Sequence, residues 1–207
     1  TDSGNGVWQI SFDGMFSKNW RFSFNYLIDE FILDREQKDF GKKSSTALSL
    51  KNVFTPQLEL NSSVSLYVLF TYVGKNTFRH EDGNNNFVQR GKPLGMEIGN
   101  DIRDIKFGFI LFKENKLLTK FSTGFKNKGL DNLIKNPYGP YVANVEQGTL
   151  QNDNAENIKY ASLKLQWWPR KNISLTCIYN FSDSSTLGKI SDLSIGIDLF
   201  YNTSGNI

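Results

Sequence analysis

One cysteine and one histidine stand among the 207 residues, and this scarcity removes several chemistries at once. Cys177 has no second thiol in the chain, so no intrachain disulfide forms. A zinc site would have to join Cys177 to the distant His80, a poor start for a tetrahedral ligand set. A Ser-His-Asp constellation would have to recruit His80, and no Gly-x-Ser-x-Gly elbow is present. No Walker-type phosphate loop occurs either, so no cofactor is expected. No run approaches the roughly 18 consecutive apolar residues of a membrane helix. An excess of one charge is missing too: 24 basic against 21 acidic residues leave +3, which argues against a nucleic-acid partner. Thr1 to Gly6 is polar and contains glycine rather than a secretion signal, so a mature or truncated product is the expectation.

What the chain has instead is aromatic surplus and alternation. Aromatics make up 14%, led by 17 Phe and 8 Tyr. From Tyr160 to Trp168, Ala161, Leu163, Leu165 and Trp167 alternate with Ser162, Lys164 and Gln166. Successive side chains of a strand point to opposite faces, so this is a strand with one greasy and one wet side. Strands are expected at 7–13, 20–34, 45–54, 62–73, 104–113, 117–126, 159–168, 172–181 and 190–201. Their apolar set runs Trp8, Ile10 and Phe12; Trp20, Phe22, Phe24, Tyr26 and Ile28; Val64, Leu66, Val68, Phe70 and Tyr72; Ile105, Phe107, Phe109 and Leu111; Leu193, Ile195, Ile197, Leu199 and Tyr201. Cys177 falls in phase with Ile173, Leu175, Tyr179 and Phe181, as a small apolar wall residue. In the second strand the phase breaks after Ile28, and a β-bulge near Asp29 would return Phe31 and Leu33 to the apolar side.

Segments of about 9 to 11 alternating residues match a tilted bilayer crossing, and an aromatic surplus suits the girdles of such a wall. The links alternate in length: Glu114 to Lys116 and Pro169 to Lys171 are short, Gly74 to Arg103 and Asn127 to Ile158 long. Outer-membrane barrels have short periplasmic turns and long extracellular loops, so the long links, with Arg35 to Ser44 and Ser182 to Lys189, are assigned outside. The expected fold is an all-β, antiparallel transmembrane β-barrel of the outer-membrane type, with residues 1–207 forming part of one barrel domain of about nine strands. Loop parity places the start of the first strand outside and the end of the ninth inside, which makes the chain the C-terminal half of a larger barrel. The competing arrangement is a self-contained barrel of eight strands with a spurious first one.

Leu66-Tyr67-Val68-Leu69-Phe70-Thr71-Tyr72-Val73, then Asn76-Thr77-Phe78-Arg79-His80-Glu81-Asp82-Gly83, then Arg90-Gly91-Lys92-Pro93-Leu94-Gly95 leading to Gly99-Asn100-Asp101, resembles the capsule-assembly Wzi family and related gliding-motility outer-membrane barrels. Asn25 to Phe31 and the Trp168-Pro169-Arg170-Lys171 turn are similar to the same family. The resemblance implies an eighteen-stranded barrel in the bacterial outer membrane that binds exported surface polysaccharide. The implied partners are that polysaccharide, outer-membrane lipid and other surface-assembly proteins.

Candidate polysaccharide contacts are Arg79, His80 and Asp82, with Arg90, Tyr138 and Tyr141. Arginine presents a planar fork of donors to carboxylates, and tyrosine rings can stack on sugars. Each has a plainer alternative. Arg79 and His80 could pair with Asp82 or Asp101 to fold the loop inward, Arg90 could be a solvated charge, and Asn136-Pro137-Tyr138-Gly139-Pro140-Tyr141 could simply shape a loop. Adjacent Asp29 and Glu30 do not suit glycoside cleavage, which needs two acids at a controlled separation, so the expected protein is non-enzymatic. The alternative function is a diffusion channel or transporter, since Lys106, Lys120, Lys164 and Asp198 fall on the polar parity.

Overall fold

The computed structural model describes residues 7–30, 45–57, 61–80, 83–86, 88–94, 99–114, 116–129, 133–134, 137–139 and 155–200. These build strands β1 (Trp8–Ser17), β2 (Trp20–Glu30), β3 (Ser45–Phe54), β4 (Ser62–Val73), β5 (Val88–Gln89), β6 (Lys92–Pro93), β7 (Ile102–Lys113), β8 (Leu117–Lys128), β9 (Glu156–Arg170), β10 (Ile173–Ser184) and β11 (Gly188–Leu199). Nine of them form one antiparallel sheet in the order β1-β2-β3-β4-β7-β8-β9-β10-β11, and β5 and β6 form a separate small hairpin. Among the described residues β1 pairs only with β2, and β11 only with β10.

The first strand is present and runs to Ser17, which removes the eight-strand arrangement that treated it as spurious. The link expected at Ser182 to Lys189 contracts to a turn at Ser185–Leu187, because β10 and β11 stay paired up to Ser184 and Gly188. Pro169 lies within β9 rather than in the turn, which is formed by Lys171 and Asn172. Trp167 and Arg170 face Leu175 and Ile173, so Trp168 and Pro169 together oppose Ser174. A bulge tolerates a residue with no N–H to give to the ladder. The expected bulge in β2 is also there: Ile28 pairs with Thr46 and Glu30 with Ser45, with Asp29 as the extra residue between them. Phe31 and Leu33, whose facing it was to restore, lie outside the described residues.

Register gathers the alternating apolar residues of all nine strands on one face, while Leu69, Ile110, Leu118 and Ile178 fall on the other. Phe12, Phe24, Leu50, Phe70, Ile105 and Phe125 form one continuous cross-strand row. A second row joins Trp20, Phe54, Leu66, Phe109, Phe121, Leu163, Tyr179 and Leu193. Cys177 sits on this face between Leu165 and Ile195. Asn52 is a polar intruder there, and Trp20 Nε1 donates to its Oδ1 at 3.3 Å. The opposite face carries Ser23, Asn25, Lys51, Lys106, Ser122, Ser162, Lys164 and Asn180 at the alternating positions.

The apolar band does not follow the pairing direction. Past Phe125 the first row turns polar, continuing into Lys159, Asp183 and Lys189. Nearer the short turns the reverse holds: Ile197, Leu175, Trp167 and Leu117 lead back into Lys113 and Ser62. From β1 to β11 the band thus slips toward the short-turn end by about one residue per strand. With about 3.3 Å per residue and about 4.8 Å between strands, the band is inclined to the pairing direction by roughly 35°.

The apolar face is left uncovered, with Trp8 78% and Ile195 77% exposed. The buried apolar cluster lies elsewhere. Ala47, Val73, Phe78 and Leu133 pack together with Leu27 and Val88 against them. Ala47, Val73 and Leu27 alternate with the apolar-face residues of their strands, so Phe78 and Val88 after β4 and Leu133 after β8 lie over the polar face at its long-loop end.

Candidate functional site

The long-loop end is tied together by side chains that serve the backbone. Phe78 adopts φ 69°, a left-handed conformation that costs a bulky residue roughly 1–2 kcal/mol. Two contacts hold it there: its ring is 1% exposed, and its N–H donates to Oδ2 of the bulged Asp29 at 2.6 Å. Thr77 Oγ1 donates to the Thr46 carbonyl at 2.8 Å, fixing the same link to β3. Asn100, fully buried, donates to the Lys75 carbonyl and accepts from Leu133 N at 2.8 Å, which joins the two long links.

A second knot involves the expected contact residues. Arg79 is 4% exposed and its Nη1 donates to the Gly139 carbonyl at 2.7 Å. Asn86 accepts from His80 N at 2.6 Å and donates to the carbonyls of Pro137 and Gly139 at 3.0 and 2.8 Å. The expectation that Arg79 offers its guanidinium outward is therefore corrected: buried donors are spent on backbone carbonyls that water cannot reach. This is the inward-folding alternative, with a partner, Gly139, that sequence separation had hidden. His80 is half-buried beside it, and Asp82 and Tyr141 lie outside the described residues.

The same knot presents the other two candidates to solvent. The carbonyls on either side of Tyr138 are both held by Asn86, and the Tyr138 ring is 53% exposed. Arg90 and Gly91 occupy the left-handed positions of the turn joining β5 to β6, with φ 52° and 74°, and Arg90 is exposed at its tip. Two consecutive left-handed residues suit a two-residue hairpin loop. Val88 of this hairpin packs on the Phe78 cluster, so Arg90 stands on an anchored base.

Asp29 is committed to Phe78 and sits at a bulge, and among the described residues no three of His, Cys, Asp and Glu come close enough to hold a metal. Lys106, Lys120, Lys164 and Asp198 lie on the polar face, as their parity requires. Asn86 and Asn100 were not singled out as contributors to loop structure. The Asn84-Asn85-Asn86 run and the Gly99-Asn100-Asp101 stretch were the only available signals, since asparagine readily satisfies turn backbones.

The chain matches no protein-family model, no curated protein and no solved structure.

Proposed function

We propose that this chain forms the wall of an outer-membrane β-barrel, non-enzymatic, whose long-loop end binds or anchors a surface polysaccharide. The observation that carries the reading is the inclined apolar band across nine strands. A soluble sheet would have to cover such a face, because exposed apolar patches beyond a few hundred Å² are otherwise interaction sites. Lipid is the partner that fits its shape: barrel strands tilt by about 35–45° to the membrane normal, so a band lying flat in the membrane must cross the pairing rows at that angle. The loops supply the second half of the argument. Their described residues present Tyr138 and Arg90, an aromatic plane and a cation suited to anionic sugars, to solvent. The resemblance of residues 66–101 to the capsule-assembly Wzi barrels points the same way.

A diffusion channel is the second reading, favoured by the lysines of the polar face; the loop cluster folded across one end of that face weighs against it. The test is glycan binding by the chain folded into lipid vesicles. Arg90→Ala combined with Tyr138→Ala should weaken binding of an anionic polysaccharide without altering insertion. Unchanged binding, or an open pore in single-channel recordings, would refute the polysaccharide reading.

A further inference from the structure

The middle of the polar face holds an arrangement that neither the loops nor the membrane explains. Gly108 and Gly124 lie on adjacent strands β7 and β8, at neighbouring positions of this face. Each is covered by a tyrosine from the far side. A Cβ at Gly108 would meet the Tyr67 ring at 2.5 Å, and one at Gly124 would meet the Tyr160 hydroxyl at 2.5 Å. The two rings thus lie flat over the glycines, each filling the space a side chain would take and turning its outer plane to the polar side. Tyr160 donates its hydroxyl to Asp104 at 2.7 Å, which fixes its plane.

Lysines gather around these rings. Lys51 Nζ lies 6.0 Å from the Tyr67 ring centroid, and Lys106 and Lys126 lie 5.8 and 5.3 Å from that of Tyr160. Further along, Lys120 and Lys164 are direct cross-strand partners. Like charges placed directly opposite destabilise a sheet. Among the described residues one carboxylate faces these five lysines from a neighbouring strand: Asp104 is the cross-strand partner of Lys126 and is engaged by the Tyr160 hydroxyl, while Asp192 and Asp198 of β11 are taken by Asn180 and Ser174. From Lys120 to Lys126 the strand rises about 20 Å, with Ser122 and Ser162, then Gly124 and Tyr160, paired between the cationic ends.

We propose that this trough binds an extended anionic saccharide chain, its carboxylates on Lys120–Lys164 and Lys106–Lys126 and its sugar rings against Tyr67 and Tyr160. An aromatic plane with a cation beside it recognises a charged sugar, and an anion lying between Lys120 and Lys164 relieves their repulsion. The proposal rests on the barrel reading, because it needs the polar face to line an aqueous lumen.

The experiment uses the full chain folded in vesicles, with insertion checked by heat-modifiable migration, and measures binding of polygalacturonate, polyphosphate of matched charge and uncharged dextran. Lys120→Gln with Lys164→Gln, and Lys106→Gln with Lys126→Gln, should each weaken polygalacturonate binding about tenfold, close to 1.4 kcal/mol. Lys113→Gln with Lys116→Gln, at the short-turn end, should leave it unchanged. Polygalacturonate should outcompete polyphosphate because only it has sugar rings for the tyrosines. The proposal is overturned if the trough variants bind as the parent does, if dextran binds equally well, or if polyphosphate is preferred. A chain that fails to enter vesicles refutes the barrel reading; one that enters but binds independently of these lysines refutes the trough alone. Lys164→Glu keeps the test decisive should the glutamine pairs fold poorly: it should stabilise the sheet by pairing with Lys120 and still reduce binding.

Discussion

Phe24 in β2 and Phe125 in β8 belong to one pairing row, separated by β3, β4 and β7, so a sheet lying square to the membrane would hold them at equal depth. The inclined band predicts otherwise. A slip of about one residue per strand over four steps is about 13 Å along the strand, or roughly 11 Å along the membrane normal at a tilt of about 35°. The apolar band of a barrel is about 25 Å tall, so its half-height is about 12 Å. The proposed membrane wall therefore predicts Phe24 near the midplane and Phe125 at the interface. An arginine costs about 2–4 kcal/mol at the midplane and about 0–1 near the interface. Loss of the phenyl ring contributes separately, so Phe24→Arg and Phe125→Arg are each compared with alanine at the same position. Urea titration of folding into lipid vesicles should give an arginine penalty larger by about 2 kcal/mol at Phe24. Equal penalties, or the larger one at Phe125, would refute the inclination.

Three other outcomes follow from the geometry. Arg79→Ala should lower stability by about 2 kcal/mol in the same titration, since it strips a charged donor from a buried carbonyl, and Asp29→Ala by about 1–3 kcal/mol through the orphaned Phe78 N–H; losses under about 0.5 kcal/mol would remove both from the loop scaffold. Gly108→Ala and Gly124→Ala should each cost about 1–3 kcal/mol, because the added methyl meets the Phe121 or Ile105 carbonyl at 2.4 or 2.5 Å, and a neutral effect would contradict the close strand–ring packing. In a Cys177→Ala background, Leu187→Cys at the long-loop end should react with a membrane-impermeant thiol reagent on intact cells and Lys171→Cys at the short-turn end should not; the opposite pattern would invert the orientation.

Alternation made the strands legible, because a period of two needs only local sequence. The Asp29 bulge was legible for the same reason: a phase slip between Ile28 and Phe31 leaves an odd residue over. The band's inclination was not, since it depends on register between strands, and no single strand shows that Phe125 aligns with Phe24 while Lys159 aligns with Phe125. Within the loops the limit was distance along the chain. Arg79 and Gly139 are 60 residues apart, so nothing local distinguished a guanidinium folded inward from one offered to a sugar. Nothing local set Tyr67 and Tyr160 apart either, since only pairing between strands places a glycine beside each.

Depth is the quantity that tests the account most directly. Spin labels placed singly at Phe12, Phe24, Leu50, Phe70, Ile105 and Phe125, with Cys177→Ala, sample one pairing row across the wall. Power saturation with oxygen and a water-soluble nickel chelate reads the depth of each in vesicles. The account predicts burial in lipid at the β2 position and a steady rise toward the long-loop interface by about 3 Å per strand from there to Phe125. Uniform depth along the row would contradict the tilt, and free access of the chelate to every label would contradict the lipid-facing wall itself.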